Sequence, residues 1–264
     1  MSRALFIAAT GMKAQQINMD VIANNLANVN TAGFKRGRAD FEDLLYQTLR
    51  PVGASSTAST EVPTGIYLGY GSRPVSTSKI FSQGAYKPTG EWSDIAIEGE
   101  GFFQIQMPDG TTAYTRAGSF KLSSTGQVIT PNGCPLLPNI TIPANAIRDS
   151  IYVGEDGTVN YKTAGATAPT TAGQIQLAQF LNPAGLEAVG SNLYKESLTS
   201  GTPTIGTPGQ NGLGATVGGS LEASNVEIVD ELVGMIVGQR AYEINSKAIQ
   251  AADQMLQTAT EIKR

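Results

Sequence analysis

IVDELVGMIVGQRAYEINSKAIQAADQML, residues 228–256, places Ile228, Met235, Tyr242, Ile249 and Leu256 seven positions apart, with Leu232 and Ile236 beside them. A seven-residue apolar repeat lays a stripe along one side of a helix, and that stripe needs a partner helix. The other end of the chain carries the same spacing in Leu5, Met12, Met19 and Leu26, flanked by Ile22 and Val29. The sequence between lacks the repeat. At ~1.5 Å per residue the first stripe is roughly 32 Å long and the second roughly 42 Å. Two sticky terminal helices point to association rather than to chemistry.

The spacing predicts one helix over 3–29. It runs out in Asn24-Asn25-Leu26-Ala27-Asn28-Val29-Asn30-Thr31-Ala32-Gly33. Asparagine competes with the helical backbone, and glycine suits a left-handed C-terminal cap. A second helix is predicted over about 226–262, capped by Ser224 or Asn225, with Glu227 in its first turn. Residues 34–50 read as an extended segment or a short helix. Lys35, Arg36 and Arg38, the one basic cluster, read as a solvated exit from the first helix. Residues 51–65, with one charge (Glu61) among Ser, Thr, Ala, Gly and Pro, read as a flexible loop in water; the functional alternative is a segment ordered only between neighbouring subunits.

From about 66 to 222 the pattern is β. Asp94–Glu98, Phe102–Met107, Thr112–Lys121 and Gln174–Leu181 alternate or run apolar, and Pro108-Asp109-Gly110, Ser123–Gly126 and Glu155-Asp156-Gly157 mark turns. Turns this frequent predict a compact all-β domain, a barrel or sandwich. The Gly/Thr/Pro-rich run 199–220 reads as a linker. The chain thus divides into an N-terminal helix (1–33), an extended arm (34–70), a central β domain (71–222) and a C-terminal helix (223–264).

Composition narrows function. Among 264 residues there is no histidine, which removes the usual general base and the commonest transition-metal ligand. The single cysteine, Cys134, sits in a Pro-Asn-Gly-Cys-Pro turn without a basic partner, a poor nucleophile. A net charge of −4 argues against nucleic acid. No apolar run reaches the ~18 residues of a membrane span. The opening Arg3–Ala9 mimics a very short signal peptide, but the stripe continues through Lys13, so the segment is expected to be retained. Gly212 to Gly219 has the wrong spacing for a dinucleotide fingerprint. Asp94, Glu98 and Glu100 are the one catalytic alternative, a carboxylate pair for cleaving a wall polysaccharide. Their shared parity reads instead as a solvated strand face. An adhesin stalk closing as a trimer, and an ordinary two-helix hairpin in a monomer, are the structural alternatives.

Residues 23–35, containing Asn24, Asn25, Leu26, Asn28, Asn30, Thr31, Gly33, Phe34 and Lys35, resemble the bacterial flagellar rod and hook axial family. So do Ala8–Met12, Glu98-Gly99-Glu100-Gly101-Phe102-Phe103, Gln239–Glu243 and Gln250–Asp253. Length and the 51–65 stretch resemble the distal rod subunits within it; Phe6 stands where a Trp is common. The resemblance implies a mixed fold: terminal helices in a coiled-coil-like inner domain around a channel, an extended arm, and a β domain outside. It implies an open helical homopolymer in the basal body, spanning the periplasm toward the outer membrane, that transmits torque. It implies contacts with other rod proteins, hook protein and ring proteins, export by the type III apparatus without a cleaved signal, no cofactor and no membrane insertion. A proximal rod or hook-like subunit is the alternative within the family.

Overall fold

A computed structural model describes residues 2–52, 55–57, 60–61, 63–165 and 168–262. Long helices at both ends flank a central β-rich region. The chain divides into two compact units, one of residues 1–27, 37–78 and 227–264, the other of 28–36 and 79–226.

In the first unit, helix α1 (Ser2–Ala27) packs along helix α2 (Ile228–Ile262). A Cβ added at Gly11 would fall 3.0 Å from Asn245 Nδ2, at Gly238 3.3 Å from Met19 Cγ, and at Gly234 3.3 Å from Ile22 Cδ1. Rising numbers on one helix meet falling numbers on the other, so the pair is antiparallel. Ala8, Ala14 and Ala252 are buried with them. Small side chains let the helices approach closely where bulkier ones would hold them apart.

Residues 34–50 resolve into strands rather than a helix. Gly37–Asp43 pairs with Ser72–Lys79, and Tyr46–Arg50 pairs antiparallel with Ile66–Gly69 in the register Tyr46↔Gly69. Leu44 N donates to Gly71 O and Tyr70 N to Leu45 O across the junction between the two pairs. These two pairs form one β-ribbon. The ribbon touches α1 where a Cβ at Gly71 would lie 2.1 Å from Thr10 Oγ1. Of the expected loop at 51–65, residues 53, 54, 58, 59 and 62 lie outside the described residues, while Ser55–Thr57 pairs with Thr60–Glu61.

The second unit holds the main core. Its largest sheet has the strand order 187–190, 193–195, 112–115, 102–106, 177–179, 204–206, with Leu136–Leu137 also paired to 102–106. That order is an open path, so among the described residues the sheet does not close into a barrel. Ile95, Ile97, Phe103, Ile105, Phe120, Leu136, Ile140, Ile175 and Leu177 are fully or almost fully buried in one cluster. Phe102, Tyr114, Ala178, Phe180 and Tyr194 form another, with Phe81 and Leu186 against it. The rings meet edge to face, Tyr114 to Phe180 at 4.8 Å and Phe81 to Phe102 at 5.4 Å between centroids. Such geometry matches the ring quadrupoles and contributes about 0.5–1.5 kcal/mol a pair beyond burial.

Two expectations change here. The run 199–220 is not a bare linker. Thr204–Gly206 pairs with Leu177–Gln179, Ala215–Gly218 pairs with Ile95–Glu98, and Leu213 enters the core. The expected strand 112–121 stops at Thr115, because Arg116 turns inward to an ion cluster and Phe120 is fully buried in the core.

Candidate functional site

The predicted stripes give a seam that is only partly covered. Of the named positions, Ile22 is buried, and Leu5, Met12, Met19, Leu26, Met235, Ile249 and Leu256 are half-buried between the helices. Ile228, Leu232 and Tyr242 remain exposed. Beyond the stripe, Val229, Val233, Ile236, Val237 and Ile244 of α2 are exposed as well, from 55 to 71%. Over 228–238 α2 carries apolar residues on most of its faces, the pattern of a buried helix. One partner covers one side of it and leaves the rest in water.

The Asn-rich motif does different work at its two ends. Asn25, 1% exposed, sits in the helical unit. Its Nδ2 donates to Gly37 O at 2.9 Å and to Glu231 Oε1 at 3.3 Å, and its Oδ1 accepts from Gly37 N at 2.7 Å. One amide therefore joins α1, the first turn of α2 and the start of the ribbon. Further on, Asn28 O accepts from Thr31 N, and the Asn28 amide oxygen accepts from Thr31 Oγ1 at 3.2 Å. This turn ends α1 at Ala27 rather than at 29. Asn24 and Asn30 face solvent.

Gly33, Phe34 and Lys35 belong to the β unit and are buried there. Gly33 has φ +70°, and a Cβ on it would lie 2.5 Å from the Ala117 backbone nitrogen, so only glycine fits. The Phe34 ring faces Lys79 Nζ at 4.3 Å. Lys35 departs from the reading of this cluster as a solvated basic exit, since it has no exposed surface, whereas Arg38 is exposed as that reading expects. Its ammonium donates to Glu222 Oε1 at 2.6 Å and Ser82 O at 2.7 Å. Glu222 also accepts from Gly84 N at 3.0 Å and, through Oε2, from Arg116 Nε at 3.0 Å. Arg116 donates further to Gly99 O and Gly101 O. Burial holds the Lys35 ammonium below its ordinary value of 10.5; Glu222 pulls the other way and Arg116 adds to the lowering. A buried anion set between two buried cations, with backbone partners on all three, satisfies what burial of charge demands.

Neither Ser224 nor Asn225, the two expected caps, sits at the start of α2; Ser224 Oγ accepts from Val226 N at 3.3 Å, ahead of the helix. Instead α2 starts at Ile228, with Glu231 N donating to Glu227 O, and the Asn225 side chain serves the β unit. It accepts from Arg36 N at 2.7 Å and donates to Ile80 O at 2.8 Å and Ser82 O at 3.1 Å. Gly33 N donates to Glu222 O, and Ile80 N to Arg36 O. Three stretches far apart in sequence, 33–36, 80–84 and 222–225, are thereby tied at one place. Arg116, Glu222 and Asn225 carry no local pattern that marks them.

The catalytic alternative does not hold together. Asp94 is buried while Glu98 and Glu100 are exposed, and Glu100 Oε2 accepts from Gln179 Nε2 at 2.7 Å. The three are not on one solvated face, because 95–97 are buried on both sides of their strand. Cys134 is buried. Among the described residues no group of three or more His, Cys, Asp or Glu is placed to hold a metal, and no helix is long and apolar enough to cross a membrane.

Three stretches of the sequence, which carry the helix pair, the Gly33-Phe34-Lys35 segment and part of the β unit, match known families. Residues 5–35 match the flagella basal body rod protein family, 96–161 the flagellar hook protein FlgE/F/G D1 domain, and 217–262 the flagellar basal body rod FlgEFG protein C-terminal family. The chain belongs to this flagellar rod and hook family. Within it the resemblance is to the flagellar basal-body rod proteins FlgG. The chain is 53% identical to that of Buchnera aphidicola subsp. Schizaphis graminum, over 98% of this chain and 99% of the relative. It is 52% identical to that of Borreliella burgdorferi over 100% of both, and 43% identical to that of Bacillus subtilis over 100% of both. These are structural rod proteins, and the chain is a rod structural subunit rather than an enzyme.

Proposed function

We propose that this subunit polymerises helically into the distal rod of the flagellar basal body, forming a drive shaft that transmits torque and encloses the export channel. The observation that carries the proposal is the helix pair. α1 covers one side of α2, while Val229, Val233, Ile236, Val237 and Ile244 stay in water. Burying a Val or Ile side chain is worth about 1.5–3 kcal/mol. Further copies of the same helices are the surface that covers them, in a coiled-coil-like inner domain, and contacts whose rotation does not close give an open tube. In a free subunit the helix ends fray, and joining a growing tip orders them, so folding and binding coincide.

In this reading the rod spans the periplasm toward the outer membrane, touches other rod proteins, hook protein and the surrounding rings, and leaves the cytoplasm without a cleaved signal. The 51–65 segment wedges between outer parts of neighbours and stiffens the shaft. Deleting 51–65 then gives curved filaments; straight, stiff filaments would count against that role. Electron microscopy of concentrated purified protein tests the whole: tubes are expected, and strictly single molecules with protected helix ends would overturn it.

A further inference from the structure

The ties around Lys35 and around Asn25 lie at successive points on the same two chain segments. Asn25 meets Glu231 across 206 residues, and Lys35 meets Glu222 across 187. Lys35 lies ten residues after Asn25, and Glu222 nine before Glu231. Along the sequence, the tie in the helical unit thus encloses the tie in the β unit.

We propose that seating residues 33–36 against 222–225 in the β unit is the step that brings the roots of α1 and α2 together, so that the helix pair zips from its Asn25–Glu231 end outward. With the β unit folded, Tyr86 already pairs with Glu222, so an unseated segment leaves about seventy residues between Asn25 and Glu231, 61 before Tyr86 and 9 after Glu222. With Lys35 seated on Glu222, only about twenty residues of chain separate the partners. Loop-closure probability falls as the three-halves power of length, so the seated segment raises the effective concentration of one helix at the other roughly six- to sevenfold. The burial pattern supports this order. Gly33, Phe34, Lys35 and Glu222 are buried by the β unit's own contacts, whereas the helix seam beyond Ile22 is half-buried and depends on few large side chains. The inner tie can therefore close while the helices are still open. Sticky helices then pair with their own partner before they meet another copy.

The idea rests on the assembly reading only for that last consequence, and its test needs no filament. Gly11→Cys with Asn245→Cys places two thiols where the helices meet. Disulfide formation under a fixed glutathione redox buffer, at a protein concentration too low for association, reads how often the helices meet within one molecule. Two substitutions eject residues 28–36 by unlike physics. Lys35→Glu sets a second anion against Glu222. Gly33→Val drives a β-branched side chain into the Ala117 backbone at a left-handed φ. Trypsin reports release at the Arg36–Gly37 bond, which both variants keep and which the parent holds through Arg36 N to Asn225 and Ile80 N to Arg36 O. Near-ultraviolet circular dichroism of the Phe and Tyr cluster reports the β unit.

The expected result is oxidation roughly six- to sevenfold slower in both variants, with the dichroism kept and the Arg36–Gly37 bond newly cut. An unchanged rate in either released variant would overturn the proposal. Loss of the dichroism in both would overturn it too, because the segment would then be part of building the β unit rather than a later closure. Failure of the parent to form tubes leaves these rates untouched and refutes only the assembly reading.

Discussion

Replacing Glu222 by leucine tests the buried ion cluster most sharply. The carboxylate is 1% exposed and accepts from Lys35, Arg116 and the Gly84 backbone within 3.0 Å. Its loss leaves two cations, 0 and 4% exposed, with no anion between them. Removing one partner of a buried pair costs about 3–5 kcal/mol, against a whole-domain stability of about 5–15 kcal/mol. With a urea slope of about 2 kcal/mol/M, a loss of about 4 kcal/mol moves the unfolding midpoint down by about 2 M. Lys35→Met is the control. It keeps the Glu222–Arg116 pair and loses the donor to Ser82 O, a cost of about 1–3 kcal/mol. Urea unfolding followed by near-ultraviolet dichroism, which reads the β unit's aromatic cluster, measures both. Glu222→Leu at or above parental stability, or Lys35→Met more damaging than Glu222→Leu, would refute the claim that the anion holds the cluster together.

Tyr194 supplies a pH dependence. Burial pushes its phenol up to about 12 from an ordinary 10.0, so the folded state favours the neutral form. That contribution is intact below pH 10 and disappears as the pH climbs toward 12. Tyr194→Phe should remove this part of the alkaline fall in the unfolding midpoint; an unaltered profile would show that another group drives it. Gly118→Ala should destabilise the β unit by at least about 1–3 kcal/mol, since its Cβ would sit 1.6 Å from Ile95 O. Thermal unfolding matching the parent would refute that contact. Ile236→Asn, at an exposed position, should change the free subunit's stability by no more than about 0.5 kcal/mol. The same change should raise the concentration needed for tubes roughly tenfold or more, as one Ile burial per subunit is lost. Sedimentation of polymer against total protein would measure it, and an unchanged threshold would exclude Ile236 from the subunit contacts.

What was legible in the chain follows the range of each signal. The helices could be read because a repeat of seven persists over many turns, and a backbone period is a local property. Their ends were read less well, because caps depend on single side chains. Asn225 has the chemistry of a cap, yet three backbone groups from distant segments claim its amide. Lys35 misled for the same reason. Beside Arg36 and Arg38 it looks like a solvated charge, and only Glu222, 187 residues away, makes it interior. The β region was recognisable from its turns, but strands of two to five residues carry too little alternation to fix partners. Thus Thr204–Gly206 and Ala215–Gly218 are hidden in a Gly/Thr/Pro-rich run, and turns alone do not tell a closed sheet from the open strand order of the largest one. Asp94 was misplaced because alternation assumes one wet face, and Ile95, Ala96 and Ile97 have none.

The backbone passes between the two compact units after residues 27, 36, 78 and 226. Units joined by a single strand can swivel about its bonds, and a twist applied to one then dissipates as rotation of the tether. Where one chain crosses four times, no crossing can turn freely without winding on the others, and each shortens as it winds. A chain wired in this way spreads an imposed rotation over four segments of its own backbone, which is the mechanical difference between a shaft and a string of beads.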